Sequence, residues 1–397
     1  MLVYLIAGEM SGDKLGAALM AGLKSLVDNI EFVGVGGEQM QAEGLGSLFA
    51  MDELSVMGIA EVLPKYRHLK RRIAETAADV VARKPDVLIT IDSPDFCLRV
   101  ARLVKESART RIVHYVAPSV WAWRPGRAKH MAHHVDQVLA LLPFEPPYME
   151  AAGMRCDFVG HPVVSEPAVT KGEVAAFRDR TGLGDAPVIL ALPGSRKGEV
   201  SRLAPVFGQA LEPVLAGIPN ARVVVPAARP VADLVREAIA DWPGAPIILD
   251  PRGNENATRE KQIAFAAADV ALAASGTVSL ELAAAATPMV IAYKMNWLSW
   301  QIMSRMAQID TVTLVNLITS AKTVPEFLGP DCQPGPIGVA LSELLADEAA
   351  RGAQIAAMAQ TMQDLGRGQD APGLRAARAV LDGLNSAPSP QQQPQTE

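Results

Sequence analysis

Three loops in this chain combine glycine with polar residues in patterns that suit work on a phosphorylated sugar. The densest is Leu190 to Glu199, Leu-Ala-Leu-Pro-Gly-Ser-Arg-Lys-Gly-Glu, where an apolar run breaks at Pro193-Gly194 and a helical pattern follows. A strand–glycine turn–helix unit offers unpaired backbone N–H groups at the helix start, a natural place for an anion. Gly194 supplies the turn, Ser195 a hydroxyl donor and Arg196 a planar cation that fits phosphate oxygens. The alternative is an ordinary βα turn with a surface arginine. The second loop, Ala273 to Glu281, repeats the pattern: Gly276 and Thr277 offer donors to a phosphate. Glu281, one helical turn beyond Thr277 on the same face, can reach the two hydroxyls of a ribose. Two such turns in one half of the chain point to a nucleoside diphosphate.

The third loop, Gly8-Glu9-Met10-Ser11-Gly12-Asp13, lacks the G-x-G-x-x-G fingerprint, and its two carboxylates would repel a pyrophosphate. Glu9, Ser11 and Asp13 are read as facing sugar hydroxyls, with Ser11 or Asp13 as a helix N-cap the alternative. Asp92 follows a buried strand and is a candidate general base. Asp95 stands where an N-cap belongs. A metal-binding pair is disfavoured because no third ligand lies nearby, and neither metal nor cofactor is expected. His114, His130, His133, His134 and His161 read as solvated or structural. Trp121-Ala122-Trp123-Arg124 lines a sugar or acyl site, or packs as core. Met295 to Met306 accepts acyl chains, or packs at an interface.

These loops need parallel strands to hold them. Apolar runs at 2–7, 32–35, 86–91, 111–116, 137–141 and 157–159 alternate with helical segments, including 14–26, a helix beginning with Pro64 in its first turn, and 96–105. The alternation breaks near 160–170 and restarts with strands at 188–192, 222–225, 247–249, 270–273 and 289–292. The fold class is therefore α/β, with two Rossmann-like doubly wound domains facing across a cleft. Residues 1–164 form the first domain, which carries the sugar-facing loop and Asp92, joined by a C-terminal helix at 371–384. Residues 165–370 form the second domain, which carries both glycine turns read for a nucleoside diphosphate, and 385–397, rich in Pro, Gln and Ser, is a disordered tail.

Composition narrows the partners. The 37 Lys and Arg against 43 Asp and Glu leave a net charge of -6, against a general nucleic-acid binder. Three widely spaced cysteines offer neither a disulfide ladder nor a zinc site. No window reads as a signal peptide or a bilayer span, which places the chain in the cytosol or on the cytosolic side of a membrane. Val62, Leu63, Tyr66, Arg67, Leu69, Lys70 and Arg71 form a short amphipathic basic stretch able to rest on anionic lipid. A solvated helix face is the alternative.

The motifs Gly8-Glu9-Met10-Ser11-Gly12-Asp13, Ile91-Asp92-Ser93-Pro94-Asp95-Phe96, Pro118 to Arg124, Pro143-Phe144-Glu145, Leu192 to Arg196, Ser275-Gly276-Thr277 and Asn316-Leu317 occur in this order. Together they resemble the lipid-A-disaccharide synthases, glycosyltransferases of the GT-B fold, over nearly the whole chain except the tail. The resemblance implies transfer of 2,3-diacylglucosamine from UDP-2,3-diacylglucosamine to 2,3-diacylglucosamine 1-phosphate (lipid X), giving a β-linked disaccharide and UDP. It implies Asp92 as the base for the acceptor's 6-hydroxyl, with Glu9 and Ser11 beside it. Arg196 would hold the diphosphate, and Glu281 and Asn316 the rest of the nucleotide. It also implies peripheral attachment to the inner membrane of a Gram-negative cell, and dimers formed through the C-terminal half. Two other readings stay open: a UDP-sugar 2-epimerase of the same architecture, and a non-enzymatic peripheral lipid-binding protein.

Overall fold

The computed structural model describes residues 1–54, 59–122, 126–306 and 308–386, without the side chains of 59–66, 298, 299 and 302. The chain divides into two compact units, Met1–Ser165 with Leu365–Glu397, and Glu166–Asp364.

The first unit runs β1 (Leu2–Ala7), α1 (Met10–Leu26), β2 (Glu31–Val35), α2 (Glu38–Ala42), β3 (Gly46–Ser47), α3 (Ile59–Arg83), β4 (Val87–Ile91), α4 (Pro94–Ser107), β5 (Arg111–Tyr115), α5 (Gly126–Ala132), β6 (Gln137–Ala140), α6 (Pro146–Glu150) and β7 (Arg155–Phe158). Its strands form one parallel sheet in the order β3-β2-β1-β4-β5-β6-β7. The central strand β1, Leu-Val-Tyr-Leu-Ile-Ala, is apolar throughout because helices cover both faces of the sheet. On one face Tyr4, Ile6 and Leu88 pack with Ile73 and Val80 of α3 and Val100 of α4. On the other, Val3, Leu5 and Ile89 meet Leu19 and Leu23 of α1, together with Ala376, Ala377 and Val380 of the closing helix Pro372–Asn385. Register aligns Ala7 with Ile91 and Ile91 with Tyr115, so β1, β4 and β5 end side by side. Whatever follows these three strands is therefore gathered at one edge.

The second unit contains α7 (Lys171–Arg180), β8 (Val188–Leu192), α8 (Lys197–Gly217), β9 (Arg222–Pro226), α9 (Ala232–Ala238), β10 (Ile247–Leu249), α10 (Ala257–Ala267), β11 (Val270–Ala274), α11 (Val278–Ala284), β12 (Met289–Tyr293) and β13 (Glu326–Leu328). Its parallel sheet has the order β10-β9-β8-β11-β12-β13. The order reverses direction at β8 and β11, and such a switch point is where doubly wound sheets bind ligands.

The fold class expected from the alternation is the one found, two doubly wound α/β units. Several local expectations need correcting. α3 begins at Ile59, so Pro64 lies inside the helix rather than in its first turn, and the good helix formers Ala60, Glu61 and Leu63 carry the start upstream. β3 and β13 were not expected because neither forms an apolar run: β3 is only Gly46-Ser47, and β13 opens on the charged Glu326. Most of the tail read as disordered lies outside the described residues.

Candidate functional site

At the edge where β1, β4 and β5 end, the chain takes an uncommon conformation. Asp92, Ser93 and Val116 all have left-handed backbones, with φ of 50°, 41° and 83°. Non-glycine residues adopt that region at a cost of order 1–3 kcal/mol each, so the surroundings must impose it. The ladder does so here: Asp92 N donates to Tyr115 O at 2.9 Å, and Val116 N donates to Leu139 O at 3.0 Å. The turn after β1 closes on the same place, since a Cβ on Gly12 would lie 3.5 Å from Ile91 O.

Asp92 is partly buried, and burial pushes its carboxyl above the usual carboxylate range, against a smaller opposing effect of a hydrogen bond from the Ser93 backbone. A carboxylate made more basic and fixed at a strand end suits proton abstraction. Glu9, at the N-cap of α1, and Ser11, in that helix's first turn, are both exposed.

Other expectations at this edge change. Asp13 does not face a ligand: it is 4% exposed, and its carboxylate accepts from Gly37 N, Gln39 N and Met40 N at 2.8 to 3.1 Å. It satisfies the open N–H groups at the start of α2. Neither it nor Ser11 caps α1, whose N-cap residue is Glu9. Asp95 is not the N-cap of α4 either. Pro94 starts that helix and Ser93 takes the cap position.

Trp121 is buried, donating its indole N–H to Glu145 Oε1 at 3.3 Å and meeting Phe144 edge-on at 5.0 Å, whereas Trp123 and Arg124 lie outside the described residues. His114 is a core residue 2.8 Å from Thr90 Oγ1, and burial pushes its pKa down to about 3. Among the described residues no group of three His, Cys, Asp or Glu is arranged to hold a metal ion.

In the second unit a cavity of about 450 Å³ opens at the ends of β8 and β11. Gly194, Ser195, Arg196, Gly276, Thr277 and Glu281, all singled out from the sequence, line it together. Two further residues were missed. Lys261 of α10 pairs with Glu281 at 2.5 Å, a meeting of two helices that no local pattern announces. Glu199, 8% exposed, accepts from Ser195 N at 3.1 Å, Arg196 N at 3.3 Å and Arg196 Nη1 at 2.9 Å. Its signal was available, an acid three residues after the cap position as in a capping box. The N–H groups expected to stand open after Gly194 are therefore taken by the chain's own carboxylate.

Asn316 is not brought to this cavity's lining. It is 2% exposed, and its amide bonds Thr311 Oγ1, Val324 O and Val324 N at 3.0 to 3.3 Å, holding one loop to another.

On α3, Arg67, Lys70 and Arg71 are exposed at i, i+3 and i+4 and share a face, with Leu69 partly buried. Arg72 is instead clamped to Glu53 and Glu75 at 2.7 and 2.8 Å. The expectation for Val62, Leu63 and Tyr66 falls on side chains outside the described residues. Of the apolar stretch near 300, Trp297 is 73% exposed. Among the described residues no helix is long and apolar enough to cross a membrane.

Comparison with known proteins gives four findings. The lipid-A-disaccharide synthetase family model matches residues 3–373. A lipid-A-disaccharide synthase of Ruegeria pomeroyi is 64% identical over 386 residues, 97% of this chain and 96% of the relative. Among solved structures, UDP-GlcNAc 2-epimerase from Neisseria meningitidis bound to UDP-GlcNAc superposes with a TM-score of 0.62 at 11% identity, over 97% of this chain and 100% of that one. A glycosyltransferase from Rickettsia africae gives a TM-score of 0.60 at 12% identity, over 97% and 98%. At such identities the last two show likeness of fold alone.

Proposed function

The chain belongs to the lipid-A-disaccharide synthetase family, and from that premise we propose how its two units divide the reaction. The activity is that of a glycosyltransferase making the lipid A disaccharide, from UDP-2,3-diacylglucosamine and lipid X. An α-linked donor and a β-linked product mean one in-line displacement with inversion. Such a step needs a base for the acceptor hydroxyl and charge stabilisation for the departing UDP.

The first unit supplies the base. Asp92 takes the proton of the acceptor's 6-hydroxyl, and its raised basicity serves that step. Glu9 and Ser11 orient sugar hydroxyls beside it. The second unit grips the nucleotide: Arg196 and the Gly276–Thr277 turn take the diphosphate as negative charge grows on it, each such donor lowering the barrier by a few kcal/mol. Gly194 and Ser195 shape the floor of that cavity, and Glu281 accepts from the ribose hydroxyls once Lys261 turns toward phosphate. The Arg67, Lys70 and Arg71 face of α3 rests on anionic lipid, where both acylated substrates reside.

The observation that carries this reading is Asp92, a partly buried carboxylate of raised pKa held in a left-handed turn at a strand end. The test is incubation with UDP-diacylglucosamine and lipid X. Disaccharide and UDP support the reading, isomerised UDP-sugar would make the protein an epimerase, and lipid binding without UDP release would make it a binding protein.

A further inference from the structure

Glu199 occupies the position at the first turn of α8 where a bound anion would be expected. Its carboxylate accepts from the N–H groups of Ser195 and Arg196, the arrangement a phosphate adopts at a helix N-terminus. It has little freedom to leave. The side chain is 10% exposed, and Gly194, with φ +124°, comes so close that a Cβ there would fall 2.5 Å from the Glu199 Cβ. The Arg196 side chain, by contrast, is 77% exposed, and its guanidinium is tethered to Glu199 through Nη1. A long arginine side chain in water samples many rotamers, and a fixed carboxylate at its tip removes much of that freedom.

We propose that Glu199 is a positioning residue for the glycosyl transfer. It fills the anion position at α8 with the protein's own charge and pins one edge of the Arg196 guanidinium. The diphosphate is left to the free edge of Arg196 and to the Gly276–Thr277 turn across the cavity. This rests on the proposed placement of UDP in the second unit, and it replaces the expectation of a backbone cradle after Gly194: the N–H groups of Ser195 and Arg196 are held by Glu199, not by phosphate.

The idea makes a prediction whose sign runs against simple electrostatics. Removing a negative charge from the wall of an anion site should tighten anion binding. If Glu199 works by holding Arg196, its loss weakens binding instead.

The experiment is a double-mutant cycle on the full-length protein, with UDP as the probe titrated by calorimetry and with transferase kinetics alongside. Glu199→Gln is expected to lower UDP affinity roughly tenfold or more, the scale of misplacing one recognition group. In an Arg196→Ala background the same substitution should have no further effect, because the group it positions is gone. A purely structural role would make the two losses add. Thermal unfolding of each variant tracks the fold, and if Glu199→Gln does not accumulate as folded protein, Glu199→Asp is read in its place with the same expectation.

Tighter or unchanged UDP binding in Glu199→Gln, with Arg196→Ala weakened, overturns the positioning role while leaving the nucleotide site standing. Additive losses do the same. If Arg196→Ala itself binds UDP like the unaltered protein, the placement of UDP fails and the proposal with it.

Discussion

Gly8 packs directly on the side chain of Ser93, so closely that a Cβ at position 8 would lie 2.6 Å from Ser93 Oγ and 3.0 Å from its Cβ. Ser93 cannot easily give way, because it already sits in the left-handed region beside Asp92. The close approach joins the turn after β1 to the turn that carries Asp92, the proposed base. Gly8→Ala should therefore shift Asp92 and lower kcat roughly ten- to a hundredfold. UDP affinity should stay unchanged, since Gly8 belongs to the other unit. Steady-state kinetics with UDP titration checks both, and equal losses in kcat and UDP affinity would contradict it.

Lys261 and Glu281 form a half-exposed pair at the cavity wall. Exposed pairs contribute under about 1 kcal/mol to folding, so Lys261→Ala should unfold at nearly the same urea concentration as the unaltered chain. Its UDP affinity should drop roughly tenfold, the usual worth of a hydrogen bond to a charged group. A variant that binds UDP normally would place Lys261 outside the nucleotide's reach.

Glu145 ties two loops near the active edge, accepting from Leu141 N, Leu142 N and Trp121 Nε1. Burial pushes its pKa up to about 7 from 4.5. The folded state thus holds this proton more tightly than the unfolded chain does. Its contribution to stability grows as pH falls through about 7 and levels off below 4.5. The difference in unfolding free energy between the unaltered protein and Glu145→Gln should follow that slope in urea titrations across the window. A difference that does not change with pH would contradict it.

Charge should dominate attachment to lipid through Arg67, Lys70 and Arg71, all exposed on α3. Raising salt from about 0.1 M to 1 M shortens the screening length from roughly 10 Å to 3 Å. Sedimentation with anionic vesicles should show release at the higher salt, and little binding by the triple Arg67→Glu, Lys70→Glu, Arg71→Glu variant. Salt-resistant attachment would mean that apolar insertion holds the protein instead.

The central strands were legible because they are buried on both faces and read as short apolar runs between helical periods: β1 and β8 fall on the expected residues. So was the gathering of Gly194, Arg196, Gly276 and Glu281 around one cavity, since strand–turn–helix units in a parallel sheet all open at the same edge. What escaped were polar side chains satisfying the backbone. Asp13 reaches across to α2, Asn316 stitches a loop to Val324, and Glu199 closes the start of α8. A polar residue in a glycine-rich loop looks the same in sequence whether it faces a ligand or an open N–H group. Only the fold reveals which need it meets.

The central claim is that the Asp92 carboxylate removes the acceptor's proton while the second unit holds UDP. Because burial raises its pKa, turnover should fall as pH drops through that raised value, when the base becomes protonated. The direct measurement is Asp92→Asn, assayed for disaccharide formation and for UDP affinity on the same preparation. The account predicts turnover lower by about a hundred- to ten-thousandfold, the usual contribution of a general base, with UDP binding within about twofold of the unaltered protein. Near-normal turnover in Asp92→Asn would show that the base lies elsewhere.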